Sequence, residues 1–274
     1  MFRSRNSWLP PHLRKQQQQQ QQNDEQHKRK VNGLLNKLTA ENFDSISDQV
    51  WDQARQGNVP HKTLKDVVEM VFIKACDQHQ FAESWARLCK KLNDSMDLPE
   101  NKSITDPDVK DTKNNDRVVS GRLLFRRYLL DRCQQQFEAA ASSGEQKKQE
   151  EKTEMLSDAY YDQVKAKRMK LGLAVFIGEL YKQKLLVDNV VKGCLNSLVE
   201  DVTAVTDQEL EMVCKLLLTV GALFDSVNTT EAWLSHYMRR IKLIMETNTD
   251  LSTRAKFMVM DLIDLRKRSW VAKR

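Results

Sequence analysis

Only eight glycines and five prolines are spread over these 274 residues. Sandwiches and barrels break the chain with a turn about every 8–12 residues, and turns draw on those two residues. A chain this poor in both is built from long helices with short connections. The apolar period agrees. Val31, Leu34, Leu35 and Leu38 fall at i, i+3, i+4 and i+7, one stripe of a helix. A second pattern runs through Phe43, Ile46, Val50 and Ala54 and closes at Gly57. Helical patterns follow through HKTLKDVVEMVFIKACDQ, FAESWARLCKKL, VSGRLLFRRYLLDRCQQQFE and a series of segments from MLSDAYYDQVKAKRMK to TRAKFMVMDLIDL. Asp207 and Thr229 are the expected N-caps of two of them. About ten helices of roughly 12–18 residues, with no strand pattern, imply an all-α chain of helix pairs stacked into an α-solenoid.

Three stretches interrupt the period. Residues 1–27 carry Pro10, Pro11 and seven consecutive glutamines (Gln16 to Gln22), with no apolar face to bury, and read as a disordered, flexible arm. Trp8 stands out there, since a solvated arm gains nothing by exposing an indole, and it reads as an anchor on a partner. Residues 94–118 lack periodicity and read as a long loop, functional or disordered. The polar, small-residue stretch 139–150 is a connector or a solvated helix extension. The folded domain is expected over residues 28–274.

Charge is unevenly placed. Residues 1–30 hold seven Lys and Arg against Asp24 and Glu25, a local +5, and residues 266–274 hold five basic side chains and no acidic one, also +5. With a formal total of +6, the body between them is left at −4. An acidic body with two basic ends is not a uniformly basic nucleic-acid coat. The longest apolar run, LGLAVFIG (171–178), is far short of the roughly 20 residues a membrane span needs, and no secretory signal opens the chain, so a cytoplasmic protein is the expectation. Five scattered cysteines form no C-x-x-C, and the five histidines show no metal-ligand spacing. Phosphate-loop, dinucleotide and G-x-S-x-G motifs are absent. The sequence therefore points away from an enzyme, with no catalytic residue, metal or cofactor expected.

Several motifs agree with one family in order and spacing. RKVNGLLNKLTAENF (29–43), YLLDRCQQQFE (128–138), LAVFIGELYKQKLL (173–186) and RAKFMVMDLIDLRKRSWVAKR (254–274) resemble successive helices of the middle domain of eukaryotic translation initiation factor 4 gamma. The resemblance covers residues 28–274. It implies a crescent of five HEAT repeats and a scaffold role in translation initiation. In that family the domain binds the DEAD-box RNA helicase initiation factor 4A, holds its two RecA lobes half-open and stimulates its ATPase and unwinding cycle, with auxiliary RNA binding. Other initiation factors would be reached through the rest of a longer protein, the domain itself being an expected monomer. Two other readings compete: a non-helicase RNA-binding module, and a related middle domain of an mRNA-decay or nuclear cap-binding factor.

The resemblance makes Leu35, Leu38 and Phe43 helicase-binding positions. The pattern alone also allows a core role for the two leucines and a hydrophobic staple for Phe43. In the last helix Ala255, Met258, Val259, Leu262 and Leu265 form a core stripe, while Arg254, Phe257, Asp261, Asp264 and Arg268 form an offset line. An aromatic on that polar line either needs burial on two sides or meets a partner, and the resemblance favours the helicase. Trp270 either packs back on the last repeat or stands at the interface. SWLPP resembles the family's Trp-x-Pro arm, which places Trp8 against the helicase as well. For RNA, Arg122, Arg126 and Arg127 cluster on one helix, and Lys165, Lys167, Arg168 and Lys170 on another. Such runs are either solvated, ion-paired faces or phosphate contacts without sequence readout.

Overall fold

The structure, a computed structural model, describes residues 11–56, 59–111, 117–142 and 157–271. It forms two compact units, the first ending at Met70 and the second running from Val71. In the first, α1 (Pro11–Asn36) packs on α2 (Phe43–Arg55), and α3 begins at Pro60 and runs to Asp77. Proline opens both α1 and α3, where its missing N–H has no helical partner to lose. Residues 11–27, expected to belong to the arm, are helical. Glutamine is a good helix former, and the tract extends a helix in which Val31 is the first fully buried side chain among those described. His27 and Lys28 tie that stretch down, the first by a ring nitrogen to Gln53 O (2.9 Å), the second by an ion pair with Asp66 (3.2 Å). Trp8 lies outside the described residues.

The second unit continues with α4 (Ala82–Ser95), α5 (Gly121–Ser142), α6 (Asp158–Lys182), α7 (Asp188–Leu198), α8 (Asp207–Ser226), α9 (Asn228–Thr247) and α10 (Thr253–Lys267). The even-numbered helices stack in sequence, α6 on α4, α8 on α6 and α10 on α8, while α5, α7 and α9 flank them. That is the helix-pair solenoid expected from the sequence. Its core runs through Phe72, Phe176, Leu217, Phe224 and Tyr237, with Phe72 and Phe176 edge to face at 5.9 Å. The N-cap of α8 is Thr206 rather than Asp207. Its side chain accepts from Glu209 N, and the Glu209 carboxylate accepts from Thr206 N at 2.7 Å. α9 starts at Asn228, one residue before the expected cap.

The expected loop 94–118 contains the only strands among the described residues, β1 (Thr105–Asp111) paired antiparallel with β2 (Arg117–Ser120). Sequence pattern missed it because β2 has only four residues and β1 carries Pro107. What holds it is a tertiary contact. The hydroxyl of Tyr128, on α5, donates to Asp106 at 2.6 Å in a buried setting. Burial, and then the Asp106 carboxylate, push the Tyr128 phenol well above its ordinary range, so it remains a donor at all working pH. Tyr128→Phe leaves that carboxylate without its phenol donor and is expected to cost about 1–3 kcal/mol. Amide exchange should then rise across 105–111 and 117–120 but not in α8. In the stretch 139–150, residues up to Ser142 extend α5, and the remainder lies outside the described residues.

Candidate functional site: the outer face of the last helix

α10 starts from a tied-down end. Ser252 Oγ accepts from Ala255 N (3.2 Å), and Ser252 N donates to Asp207 Oδ1 at the head of α8 (3.0 Å). One side is core, with Ala255, Val259 and Leu262 buried. Met258 and Leu265, placed in the same stripe by sequence, are only half-buried. They line a cavity of about 340 Å³ between α8 and α10, whose other walls include Glu211, Lys215, Leu218, Asp261 and Arg268. Cys214 also faces it; burial, then nearby Glu211, push its thiol up to about 12, so no thiolate is presented there.

The offset line is exposed along its whole length. Phe257 stands 58% exposed between Arg254 and Asp261, with Asp264 and Arg268 further along. Arg254 pairs with Glu211 across the groove (3.3 Å), and Asp264 with Lys267 (3.0 Å). The result is an apolar slot with charges of both signs on its rim. Sequence reasoning found the α10 half and missed the α8 half. Leu218 and Lys215 were unremarkable within a long apolar helix, although Leu218 is exposed.

Trp270 points inward. Ser269 and Trp270 both take positive φ, 54° and 63°, a conformation rare for residues with a side chain. This reverses the chain and lays the indole on Gly221 of α8, where a Cβ would come within 2.5 Å of the ring. Trp270 Nε1 donates to Asp225 Oδ2 (2.7 Å), and Arg266 grips the same carboxylate at 2.6 and 2.9 Å while also donating to Ser235 (2.7 Å). Burial alone would raise the Asp225 carboxyl, but Arg266 and Trp270 outweigh it and hold it below its ordinary value. Trp270, half-buried, is therefore the peg that fixes the end of α10, the first of the two roles the sequence allowed it.

The first unit supports fewer of the expected contacts. Leu35 is 1% exposed and Phe43 7%, so both are core; the stripe that suggested a docking position is the stripe that packs α1 on α2. Leu38 is half-buried at the turn between those helices, which Asn42 holds by donating to Lys37 O and accepting from Thr39 N, both at 2.7 Å.

The basic clusters divide. Arg122 pairs with Asp97, Arg127 with Asp131 (3.0 Å) and Arg168 with Asp77, leaving little free charge at those positions. Arg126 donates to Lys184 O (3.1 Å). Lys165 and Lys167 are exposed and Lys170 half-buried, with the exposed ring of Tyr161 one turn before Lys165. Among the described residues no three His, Cys, Asp or Glu are arranged to hold a metal, and no helix is long and apolar enough to cross a membrane.

Stacked helix pairs ending in an exposed, slotted face define a helical-repeat protein. The MIF4G domain family matches residues 28–269. The chain belongs to that family. It is 40% identical over 248 residues to eukaryotic translation initiation factor 4 gamma of Schizosaccharomyces pombe, covering 90% of this chain and 17% of that protein. It is 36% identical over 254 residues to the eukaryotic initiation factor 4F subunit p130 of Saccharomyces cerevisiae, covering 88% and 26%. The chain thus spans about a quarter or less of these relatives. The solved MIF4G domain of Trypanosoma cruzi translation initiation factor EIF4G5 shares the fold, with a TM-score of 0.52 at 17% identity over 89% of this chain and 97% of that one.

Proposed function

We propose that this chain is the helicase-engaging scaffold domain of a cytoplasmic translation initiation factor of the 4 gamma type. Its partner is the DEAD-box RNA helicase initiation factor 4A, which it stimulates without chemistry of its own. The observation that carries this is Phe257, an exposed aromatic flanked by Arg254, Asp261 and Asp264 on a helix whose opposite side is core. Aromatic anchors beside a slot, ringed by charges of both signs, suit a protein partner. A scaffold speeds an enzyme's cycle by binding one of its conformations better than the others. Leu38 and Trp8 are the remaining candidates for a second contact from the N-terminal side. RNA binding is auxiliary and falls to Lys165, Lys167 and Lys170 beside Tyr161.

Titration of the chain into an initiation factor 4A ATPase assay tests this. A saturable rise in turnover is expected, with a complex on gel filtration. Phe257→Ala, exposed and thus harmless to folding, should weaken the complex about tenfold, a loss typical of an interface hot spot. No rise in turnover together with no complex would refute the proposal. Full-strength binding by folded Phe257→Ala would move the contact away from α10. A flat salt response of RNA affinity would exclude the lysines as phosphate contacts.

A further inference from the structure

A second surface lies where the start of α5 meets the turn between α6 and α7. Leu123 and Val187, 61% and 62% exposed, are among the most exposed large apolar side chains described. Two cross-links gather the segments that carry them. Arg122 pairs with Asp97, which brings the exposed Leu98 to the first turn of α5. Arg126, one turn after Leu123, donates to the carbonyl of Lys184, three residues before Val187. Lys184 is held there with φ at 60°, its N–H bonded to Tyr181 O (2.9 Å). The neighbouring turn residues Leu185 and Leu186 are buried, so the turn is anchored while Val187 faces out.

The charges around this patch are not balanced. Arg122, Arg127 and Lys182 each have a carboxylate partner, Asp97, Asp131 and Glu179. Asp188, the acidic residue nearest Val187, accepts from the Tyr181 hydroxyl at 3.1 Å. Arg126 has only the neutral Lys184 carbonyl, and its Nε is without a partner among the described residues. Lys184 is exposed and makes no ion pair among them. Two uncompensated cations thus lie among exposed apolar side chains. Water solvates neither set well together, since the apolar groups gain by being covered and the cations lose unless the cover carries carboxylates.

We infer that the Leu98, Leu123 and Val187 patch docks an acidic, leucine-bearing peptide segment of another protein, with its carboxylates on Arg126 and Lys184. Apolar groups at the centre favour a peptide over RNA, whose contact would call for stacking aromatics, and the neighbouring Arg122 and Arg127 of α5 already pair with carboxylates. The surface is independent of α10 and does not rest on the helicase reading.

The test is an anisotropy titration of the whole chain with a fluorescein-labelled twelve-residue peptide that carries two leucines one helical turn apart among glutamates. Saturable binding is expected, weakened about tenfold by Leu123→Asp and by Lys184→Glu with the helical circular dichroism unchanged, and absent when the peptide glutamates are lysines. No saturation by about 1 mM peptide overturns the inference, since affinity weaker than that is not specific docking. So does binding that both variants leave unchanged. A twelve-nucleotide single-stranded RNA that displaces the peptide, and is itself lost with Lys184→Glu, would assign the surface to nucleic acid instead.

Discussion

Gly172→Ala is expected to lower the stability of the second unit by about 3 kcal/mol, at the severe end for one added methyl group. Gly172 lies in α6 where that helix crosses the backbone of Cys76 in α3. A Cβ there would stand 2.9 Å from Cys76 Cα and closer still to its carbonyl. The obstacle is main chain on both sides, so no rotamer change relieves it, and α6 must move off its neighbour. Because α6 also packs on α4, α5, α7 and α8, the displacement spreads through the stack. For a unit of this size the melting temperature should fall by roughly 6–12 °C. Urea denaturation followed by circular dichroism measures it, and a loss under about 1 kcal/mol would show that α6 can shift freely. Gly33 is a matched control, since nothing lies within 4 Å of a Cβ built there. Gly33→Ala, in a helix interior, should if anything stabilise.

Asp225→Ala should cost about 2–3 kcal/mol and free the end of α10. The substitution leaves the partly buried Arg266 without its bidentate partner and Trp270 Nε1 without an acceptor. Trp270 emission should shift to the red as the indole leaves Gly221, and the proposed helicase contact at Arg268 should weaken although Asp225 itself lies off the face. The same carboxylate makes a pH prediction. Its pKa is lower folded than unfolded, so its contribution is fully present above about pH 4, the unfolded value, and is lost as pH falls through the folded value. The stability difference between wild type and Asp225→Asn should be constant at neutral pH and shrink in acid. A difference that grew in acid would contradict the Arg266 and Trp270 assignment.

The helix-pair architecture was legible because buried helix faces repeat every three to four residues, and that pattern is strongest in α2 and α4. The offset line on α10 was legible for the same reason: a polar helix face should not carry Phe257 without cause. Leu35 and Phe43 were not separable from docking residues, since burial against a neighbour and burial against a partner demand the same side chains. The hairpin left no periodic trace because Asp106, the residue that anchors it, is a carboxylate that counts as a loop signal until Tyr128 is seen against it. The arginines of α5 could not be told apart as ion-paired face or phosphate contact, because Asp97, the partner that neutralises Arg122, lies 25 residues away in sequence.

What the sequence by itself determined was local: helix, period, ends and the polar face of α10, each a property of neighbours within one or two turns. Only the tertiary structure decided which way each stripe looks. Trp270 turns inward because Gly221, 49 positions earlier, leaves room for an indole and Asp225 offers it an acceptor. Phe257 stays outside because α10 packs mainly on α8 and α9, and its ring lies on the face turned away from the buried Ala255, Val259 and Leu262. Contact across the stack depends on shape and partner at long range, and short-range periodicity carries no information about either.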